Sequence, residues 1–307
     1  MSAESAGVIF RTAGKISGKL NITLKEKLYV KIFIIAILLL RTFSIAYLSL
    51  MFDGENLKTK RNKAYEFLKK KFSYTEIFRL ILSEIPYKKK AYFPVITDYT
   101  FIFGIKVLFA AFPYKKRAIP FAFRIADFEM KGKKRTTELA FIRALRKIIY
   151  KQYKMVIISD REFAGKEFVR NILRIKNTDV IVRIKKNTNV TDHIGNIIRL
   201  RKYEKSISDC FYGENRGILY IDNNDNDKLI IFGSIRNMGF VKQLYERRMG
   251  IEEMFRDMKT GLGLKRIRTG DRIRFKNLIA FSLLAYLTVV ISDRRAEGKN
   301  EYFSYFS

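Results

Sequence analysis

The pattern of apolar positions divides the chain into a helical first third and a remainder in which strands alternate with helices. Residues 56–82 carry apolar side chains at helical spacing, with lysines on the remaining positions. From residue 92 onwards, short runs rich in β-branched and aromatic residues predict strands at 92–103, 118–125, 155–159 and 179–184. Helical spacing recurs between them at 134–151 and 165–175. This alternation predicts a partly parallel sheet covered by helices.

Two long apolar segments are candidates for membrane-spanning helices. Residues 32–52 are apolar except for Arg41 and a few hydroxyl side chains, and could span a bilayer by length. A central arginine costs about 2.5–3.5 kcal/mol on insertion scales, so two buried helical turns that meet near Arg41 are the favoured interpretation. Residues 278–291 are too few to span a bilayer, and predict a buried helix. No signal peptide is recognisable before residue 32.

Composition and charge narrow the classes of function. The chain has 61 Lys and Arg against 30 Asp and Glu, a formal net charge of +31, which calls for a polyanionic partner such as nucleic acid or an anionic membrane. Apolar residues make up 48% of the 307, which excludes general disorder. One cysteine, Cys210, and one histidine, His193, exclude an internal disulfide and most zinc centres. Catalysis must therefore rest on carboxylates, lysine, tyrosine or serine.

Two carboxylates stand in apolar surroundings. Asp98 interrupts a predicted strand, and Asp160 directly follows the predicted strand 155–159. Ligands of open α/β sheets collect at the carboxyl ends of strands, and a divalent cation would offset the desolvation of such an aspartate. Each residue taken singly could equally be a helix cap or a turn former.

A third carboxylate lies in residues 241–262. At about 100° per residue, Tyr245, Arg248, Glu252 and Lys259 share one stripe of a helix. The adjoining packing face comprises Leu244, Ile251, Phe255, Met258 and Leu262. One carboxylate among Tyr, Arg and Lys suits a metal site with phosphate clamps. Geometry alone leaves a solvated face with ordinary ion pairs as an equal alternative.

The spacing Tyr245-x2-Arg248-x3-Glu252-x6-Lys259 resembles the YREK signature of insertion-sequence transposases, the cut-and-paste branch of the DDE superfamily. Further landmarks of that family occur in the right order along the chain. Asp98-x-Thr100 is similar to the first Asp motif of the family, and Asp160-Arg161-Glu162-Phe163 is similar to its second Asp motif. Ile119-Pro120-Phe121 resembles the strand that follows the first motif, and residues 180–185 resemble the strand that leads into the insertion domain. The resemblance covers roughly residues 91–291. Glu162 departs from it, since family members commonly have a small residue there.

The resemblance implies an α/β fold: an RNase H-like mixed sheet flanked by helices, with a β-rich insertion and a helical N-terminal region. The expected division is a helical, DNA-binding candidate region 1–88, a first part of the catalytic core 89–184, a β-rich insertion 185–236, a helical second part of the core 237–295, and a tail 296–307.

The resemblance also implies the chemistry. Asp98, Asp160 and Glu252 are expected to be the catalytic residues and to hold two divalent ions, Mg²⁺ with Mn²⁺ as a substitute, for cleavage at transposon ends and strand transfer into target DNA. Tyr245, Arg248 and Lys259 are expected to grip DNA near the transposon end. Arg161 and Arg183 are further candidates for DNA contact.

The expected partners are double-stranded DNA, as terminal inverted repeats and target, and a second copy of the chain in a synaptic homodimer. No small-molecule cofactor and no membrane role is expected, and the location is expected to be cytoplasmic and nucleoid-associated. Two alternatives stay open: a catalytically inactive, transposase-derived DNA-binding protein or repressor, and a membrane-associated basic protein that depends on residues 32–52. Retention of three acids favours the active enzyme over the inactive one.

Overall fold

A helical layer precedes the sheet in the computed structural model, which describes residues 3–85, 87, 91–126, 134–223 and 228–295. The helices of this layer are α1 Ala3–Gly18, α2 Leu24–Leu40, α3 Ile45–Leu48, α4 Leu57–Leu68 and α5 Tyr74–Glu84. The segment 56–82 is thus two helices, because the chain turns after Leu68 and Ser73 caps α5 by accepting from the backbone N–H of Glu76. Residues 1–2, 86, 88–90, 127–133 and 224–227, together with the predicted tail 296–307, lie outside the described residues.

A mixed sheet forms the centre of the molecule. Its strands are β1 Tyr92–Ile102, β2 Ile105–Tyr114, β3 Arg117–Ile125, β4 Lys154–Ser159, β5 Thr178–Arg183, β6 Asn189–Asp192, β7 Ile197–Arg199, β8 Ile207–Tyr212, β9 Asn215–Asp222 and β10 Leu229–Gly233. They lie in the order β3-β2-β1-β4-β5-β10-β9-β8-β6-β7. Helix α6, Lys134–Ile148, lies between β3 and β4 in the chain, and α7, Lys166–Leu173, between β4 and β5. The predicted α/β class is confirmed.

The first five strands have the topology expected of an RNase H-like core. Strands β1, β2 and β3 form an antiparallel meander, and β4 and β5 run parallel to β1. Strand β10 pairs antiparallel with β5, so β6 to β10, which lie in the predicted insertion, continue the same sheet. Strand β2 is absent from the sequence prediction, and Ile119–Phe121 therefore lies on the third strand rather than the next one. Pro120 is tolerated there because β3 is an edge strand with a register shift beside it.

The long C-terminal helix α10, Arg272–Arg295, is enclosed by the N-terminal helices and β3. Phe281 stacks on Phe33 of α2 at 5.4 Å between ring centroids, and Ser292 hydrogen-bonds Thr12 of α1. Residues 272–293 are long and apolar enough to cross a membrane, but 94% of their apolar window is buried inside the protein. Burial against α1 and α2 supplies the apolar surroundings that the composition of α10 requires.

The predicted break near Arg41 is also present. Arg41 ends α2 in the left-handed conformation with φ of 46°, and the chain axis bends by 116° before residues 45–51. Val30 and the apolar residues from Phe33 to Leu38 are buried, as are Ile45 and Leu48. Residues 32–52 therefore form helical pieces that meet near Arg41, with most of their apolar side chains buried, although Leu39, Leu40 and Leu50 are exposed and the bent pair of helices is together long and apolar enough to cross a membrane.

The segment that carries the YREK spacing is not one regular helix. It consists of α8, Met238–Glu246, a 3₁₀ turn at Arg247–Met249, α9, Gly250–Arg256, and a π-helical turn at Asp257–Gly261. The 3₁₀ turn brings Gly250 against the start of β3, where an added Cβ would lie 2.6 Å from the carbonyl oxygen of Arg117. This close approach sets where α9 lies over the sheet. The assumption of about 100° per residue across 241–262 is therefore wrong.

Candidate active site

Asp98 and Asp160 lie side by side on two neighbouring parallel strands, Asp98 within β1 and Asp160 directly after the end of β4. In the register of β1 and β4, Thr97 is opposite Ser159, so the next residues, Asp98 and Asp160, are level. The hydroxyls of Thr97 and Ser159 share a buried hydrogen bond of 2.6 Å. The strand pairing thus brings together two acids that are 62 residues apart in the chain.

The surroundings of Asp98 disfavour the charged form of its carboxyl group. Its pKa is raised to about 6, mainly by burial and also by the negative charges of Asp160 and Glu252, while a hydrogen bond from the backbone N–H of Tyr99 and the positive charge of Arg248 oppose the rise. Its Oδ1 accepts that N–H at 2.7 Å. The acids from β1, β4 and α9 are therefore close enough to repel one another.

Asp160 has a buried oxygen without a donor. Its Oδ1 accepts no hydrogen bond from the described part of the chain. Three other buried acids are in ion pairs, Asp257 with Arg117, Asp179 with Lys154 and Asp293 with Lys115, and Glu138 accepts from the hydroxyl of Tyr99; Oδ1 of Asp293 also lacks a hydrogen bond within the described residues, but its other oxygen is paired. A buried carboxylate oxygen without a donor is costly, and at Asp160, beside two further acids, it suits a positive group from outside the chain.

Arg248 lies between two of the acids. Its Nη1 is 3.4 Å from Oδ2 of Asp98, and its Nη2 donates to Oε1 of Glu252 at 2.7 Å. Arg248 is 7% exposed, and its guanidinium carbon is 5.8 Å from the ring centre of Tyr245, whose own pKa is raised to about 12 by burial. The basic group that neutralises the acids is therefore nearly enclosed.

The structure brings together some of the predicted residues and separates others. Tyr245 and Arg248 face the acids, and the positive charge of Arg183, at the end of β5, acts on Tyr245. No hydrogen bond or ion pair between described residues links Lys259 or Arg161 to the acids. Lys259 lies in the π-helical turn near the ring of Phe255, where burial and the charge of Lys265 lower its pKa. The wider π turn moves Lys259 off the stripe of the other three residues.

Three hard oxygen donors of this kind fit a divalent cation in type. Across the described ranges, however, no group of three acidic, His or Cys side chains is already arranged to hold one ion. Arg248 occupies the space between Asp98 and Glu252, and the Glu252 side chain is half exposed. Movement of Arg248 away from these carboxylates would free both for a cation. The unpartnered Oδ1 of Asp160 is the atom that fits such an ion best.

Sequence reasoning missed the groups that hold α9 in place. Arg117 Nε donates to Oδ2 of the buried Asp257 at 2.6 Å, and the hydroxyl of Tyr286 from α10 contacts the same oxygen at 3.3 Å. This contact joins β3, the π turn and the long helix directly behind Glu252. An acid between the apolar residues Phe255 and Met258 was the available signal in the sequence.

Comparison with known families decides the identity of the chain. A family model for the transposase DDE domain matches residues 120–288, which is more than half of the chain. The chain belongs to the transposase DDE domain family. The match contains Asp160 and Glu252 and begins after Asp98, whose association with them comes from the strand register. No curated protein matches the chain.

A solved structure has a similar fold. The cryo-EM structure of a piggyBac transposase synaptic complex with hairpin DNA superposes with a TM-score of 0.52 at 12% identity, over 99% of this chain and 76% of that one. The family match identifies a DNA transposase, a class of enzyme that depends in general on divalent metal ions, and the fold agrees with it. The family match does not distinguish the YREK branch from the others.

Proposed function

We propose that this transposase belongs to the YREK branch, and that it cleaves transposon ends and transfers them into target DNA at Asp98, Asp160 and Glu252. The observation that carries the proposal is the level position of Asp98 and Asp160 on parallel neighbours, with Glu252 facing them through Arg248. The raised pKa of Asp98 supports it, because three acids are kept close together without a full set of neutralising bases.

We infer that the three carboxylates hold two Mg²⁺ ions, and that Mn²⁺ substitutes. When bound, such ions activate the attacking oxygen and stabilise the leaving oxygen of a phosphodiester. Asp160 is suited to bind first, since its Oδ1 is already without a donor. Asp98 and Glu252 become ligands when Arg248 releases them.

The reaction hydrolyses a phosphodiester to a 3′-hydroxyl and a 5′-phosphate when water attacks, and exchanges one phosphodiester for another when a DNA 3′-hydroxyl attacks. In both cases the attacking oxygen bonds to the scissile phosphorus and gives up its proton, the bond to the leaving 3′-oxygen breaks, and that oxygen takes up a proton. Arg248, freed from the acids, is positioned to donate to the non-bridging phosphate oxygens, and Tyr245 packs beside it. Arg248 thus neutralises the acids in the absence of DNA and binds the phosphate once DNA is present.

Further DNA contacts are assigned by position. Arg183 lies at the end of β5 beside this site, and Arg161 is exposed directly after Asp160. Lys259 belongs with Lys265 to a basic surface farther along the chain rather than with Tyr245 and Arg248. The proposed partners are terminal inverted repeats, target DNA and a second copy of the chain, at the nucleoid in the cytoplasm. Residues 1–88 are proposed to add DNA-binding surface, and 185–236 to act as the insertion.

The decisive test is cleavage of the element's terminal repeat by wild type, Glu252→Gln and the matched control Glu253→Gln. Glu253 lies on the same helix but pairs with Arg256 and has no contact with Arg248 among the described residues. We expect Glu252→Gln to abolish cleavage in Mg²⁺ and Mn²⁺ while DNA binding stays within about twofold. Glu253→Gln should cleave like wild type. Binding by both variants should weaken steeply with added salt, because a chain of charge +31 displaces many counterions from DNA.

Two outcomes would count against the proposal. Equal cleavage by wild type and Glu252→Gln would remove Glu252 from the site. Tight binding of the repeat by wild type without cleavage in either metal would favour the inactive DNA-binding protein instead.

A further inference from the structure

The strand pairing that places Asp98 beside Asp160 ends one residue before either acid. The last paired residues of β1 and β4 are Thr97 and Ser159. Asp160 then precedes a 3₁₀ turn, Arg161–Phe163, to which its side chain makes no capping hydrogen bond, and its Oδ1 accepts from no donor in the described chain. The position of Asp160 relative to Asp98 must therefore be fixed by contacts of this turn rather than by the strand pairing.

Tyr99 reaches the turn from the other face of the sheet. Side chains alternate along β1, so Tyr99 lies on the face opposite to Asp98. Its ring stacks on that of Phe163, with 5.5 Å between the ring centres and 10° between the planes. Phe163 is 2% exposed, and its backbone N–H donates to the carbonyl oxygen of Asp160 at 3.0 Å. The ring contact thus connects β1 to the turn that holds the backbone of Asp160.

Two hydrogen bonds fix Tyr99 itself. Its backbone N–H donates to Oδ1 of Asp98 at 2.7 Å, which leaves Oδ2 of that carboxylate facing Arg248. Its hydroxyl donates at 2.8 Å to Oε1 of Glu138, a 2% exposed side chain of α6. Because rotation of the ring would break a hydrogen bond to a buried carboxylate, the hydroxyl holds the ring in its stacked position. Tyr99 therefore contacts one acid through its backbone and the turn after the other acid through its ring.

Glu162, which departs from the family pattern, belongs to the same cluster. Lys106 of β2 has its Nζ 4.1 Å from the ring centre of Tyr99 and 3.5 Å from Oε2 of Glu162. A cation over an aromatic face is a favourable contact, and here it also pairs with the acid of the turn. Glu162 thus faces Lys106 on the side of the sheet away from Asp98, and adds a second contact between the strands and the turn.

We propose that Tyr99 is a positioning residue for metal binding, which keeps Asp160 next to Asp98 by holding the turn after Asp160 from the far face of the sheet. This proposal rests on the proposed function, which makes the two acids metal ligands. Neighbouring carboxylates repel each other until a cation binds, so a turn without this contact relaxes away from Asp98. Groups that hold metal ligands in place contribute about 10–100-fold to metal affinity. The lower end applies to Tyr99, because it acts on Asp160 through Phe163.

Three variants separate the ring of Tyr99 from its hydroxyl. Tyr99→Phe keeps the stacked ring and loses the hydrogen bond, whereas Tyr99→Leu and Phe163→Leu each remove the stacked pair. Phe163→Leu also leaves the hydroxyl of Tyr99 on its partner. The matched control is Tyr74→Leu in α5. Tyr74 is half-buried like Tyr99, packs edge-to-face on another ring at 5.9 Å, and donates to the amide oxygen of the buried Asn277 at 2.8 Å.

The first measurement is the rise in melting temperature of the full-length chain as Mn²⁺ is added, since a metal that binds the folded state stabilises it by mass action. Each variant is compared with its own metal-free melting temperature, so a purely structural loss cancels. The Mn²⁺ concentration for a given rise should increase about tenfold in Tyr99→Leu and in Phe163→Leu, and stay within about twofold of wild type in Tyr99→Phe and Tyr74→Leu. An unchanged Mn²⁺ response in both stacking variants, or an equal weakening in Tyr74→Leu, would overturn the proposal.

The second measurement is the Mn²⁺ concentration for half-maximal cleavage of the element's terminal repeat. Tyr99→Leu should raise it about tenfold, with the rate at saturating Mn²⁺ within about twofold of wild type. A lower saturating rate with unchanged Mn²⁺ dependence would overturn the proposal, because Tyr99 would then act on a step after metal binding. The double variant Tyr99→Leu/Phe163→Leu should lose no more than either single variant, since both remove one contact. A full wild-type Mn²⁺ response in Asp160→Asn would instead contradict the proposed function, so the two failures are distinguishable.

Discussion

The buried pair of Arg117 and Asp257 provides the sharpest test of how α9 is held over the sheet. Asp257 is 2% exposed, and Arg117 Nε contacts it at 2.6 Å from the first residue of β3. Replacing Arg117 by Met keeps the length of the side chain and removes the charge. The cost of breaking a buried pair by removing one partner is about 3–5 kcal/mol, and the lower end applies here because the Arg117 side chain is one quarter exposed. We therefore expect Arg117→Met to lose about 3 kcal/mol of unfolding free energy.

The loss of unfolding free energy in Arg117→Met depends on pH through the pKa of Asp257. Burial already raises the pKa of Asp257, and Arg117 opposes this rise. Without Arg117 the folded-state pKa rises further above the unfolded value. A carboxyl group with a raised folded-state pKa destabilises the fold as pH increases through the interval between the two values. The loss in Arg117→Met should therefore be smallest below the unfolded pKa of aspartate and largest at neutral pH.

A double-mutant cycle in chemical denaturation checks this reasoning. Asp257→Asn and Arg117→Met/Asp257→Asn are measured beside Arg117→Met, near pH 4 and near pH 8. The double variant should lose less than the sum of the single losses by more than about 1 kcal/mol, because the uncompensated charge is then gone. Additive losses that do not change with pH would refute the account of Asp257 as a buried charge neutralised by Arg117.

Two further predictions concern the acids and the packing of the helical layer. Asp98→Asn should gain thermal stability relative to wild type as pH rises from 3.8 through about 6, because the raised pKa makes ionisation of Asp98 costly in the folded protein. Scanning fluorimetry without divalent ions measures this difference in stability. The same difference at pH 4 and at pH 7.5 would contradict the prediction. Gly263→Ala should destabilise the fold by more than about 2 kcal/mol, because Gly263 has a φ of 79° and an added Cβ would lie 2.1 Å from the carbonyl oxygen of Arg41. The matched control is Gly270→Ala in the same loop, where a Cβ meets no atom within 4 Å and melting should be nearly unchanged.

Periodicity and composition alone determined much of this protein. The apolar run of β4 and the aspartate that ends it are readable because a buried strand needs continuous apolar residues and a carboxylate there breaks that run. The same reasoning indicated buried helical segments at 32–52, where Arg41 disfavours a bilayer, and at 278–291. The length argument for the second segment was wrong, because its helix extends over Arg272–Arg295 and only its burial inside the protein accounts for its apolar composition. The spacing from Tyr245 to Lys259 carried the family resemblance, and the family match confirms a DDE transposase.

Tertiary contacts decided the rest. Strand β2 has no polar alternation, because residues 107–113 are buried on both faces of the sheet, so its strand character shows only through its pairing with β1 and β3. The stripe from Tyr245 to Lys259 broke because Gly250 packs on the backbone of Arg117 and Asp257 turns towards the Arg117 side chain. Register placed Asp98 level with Asp160, and the β1–β2 turn exposed Phe103 beside Arg268. Local spacing reports which face of an element is apolar, whereas the distance between two elements is set by the groups that meet between them.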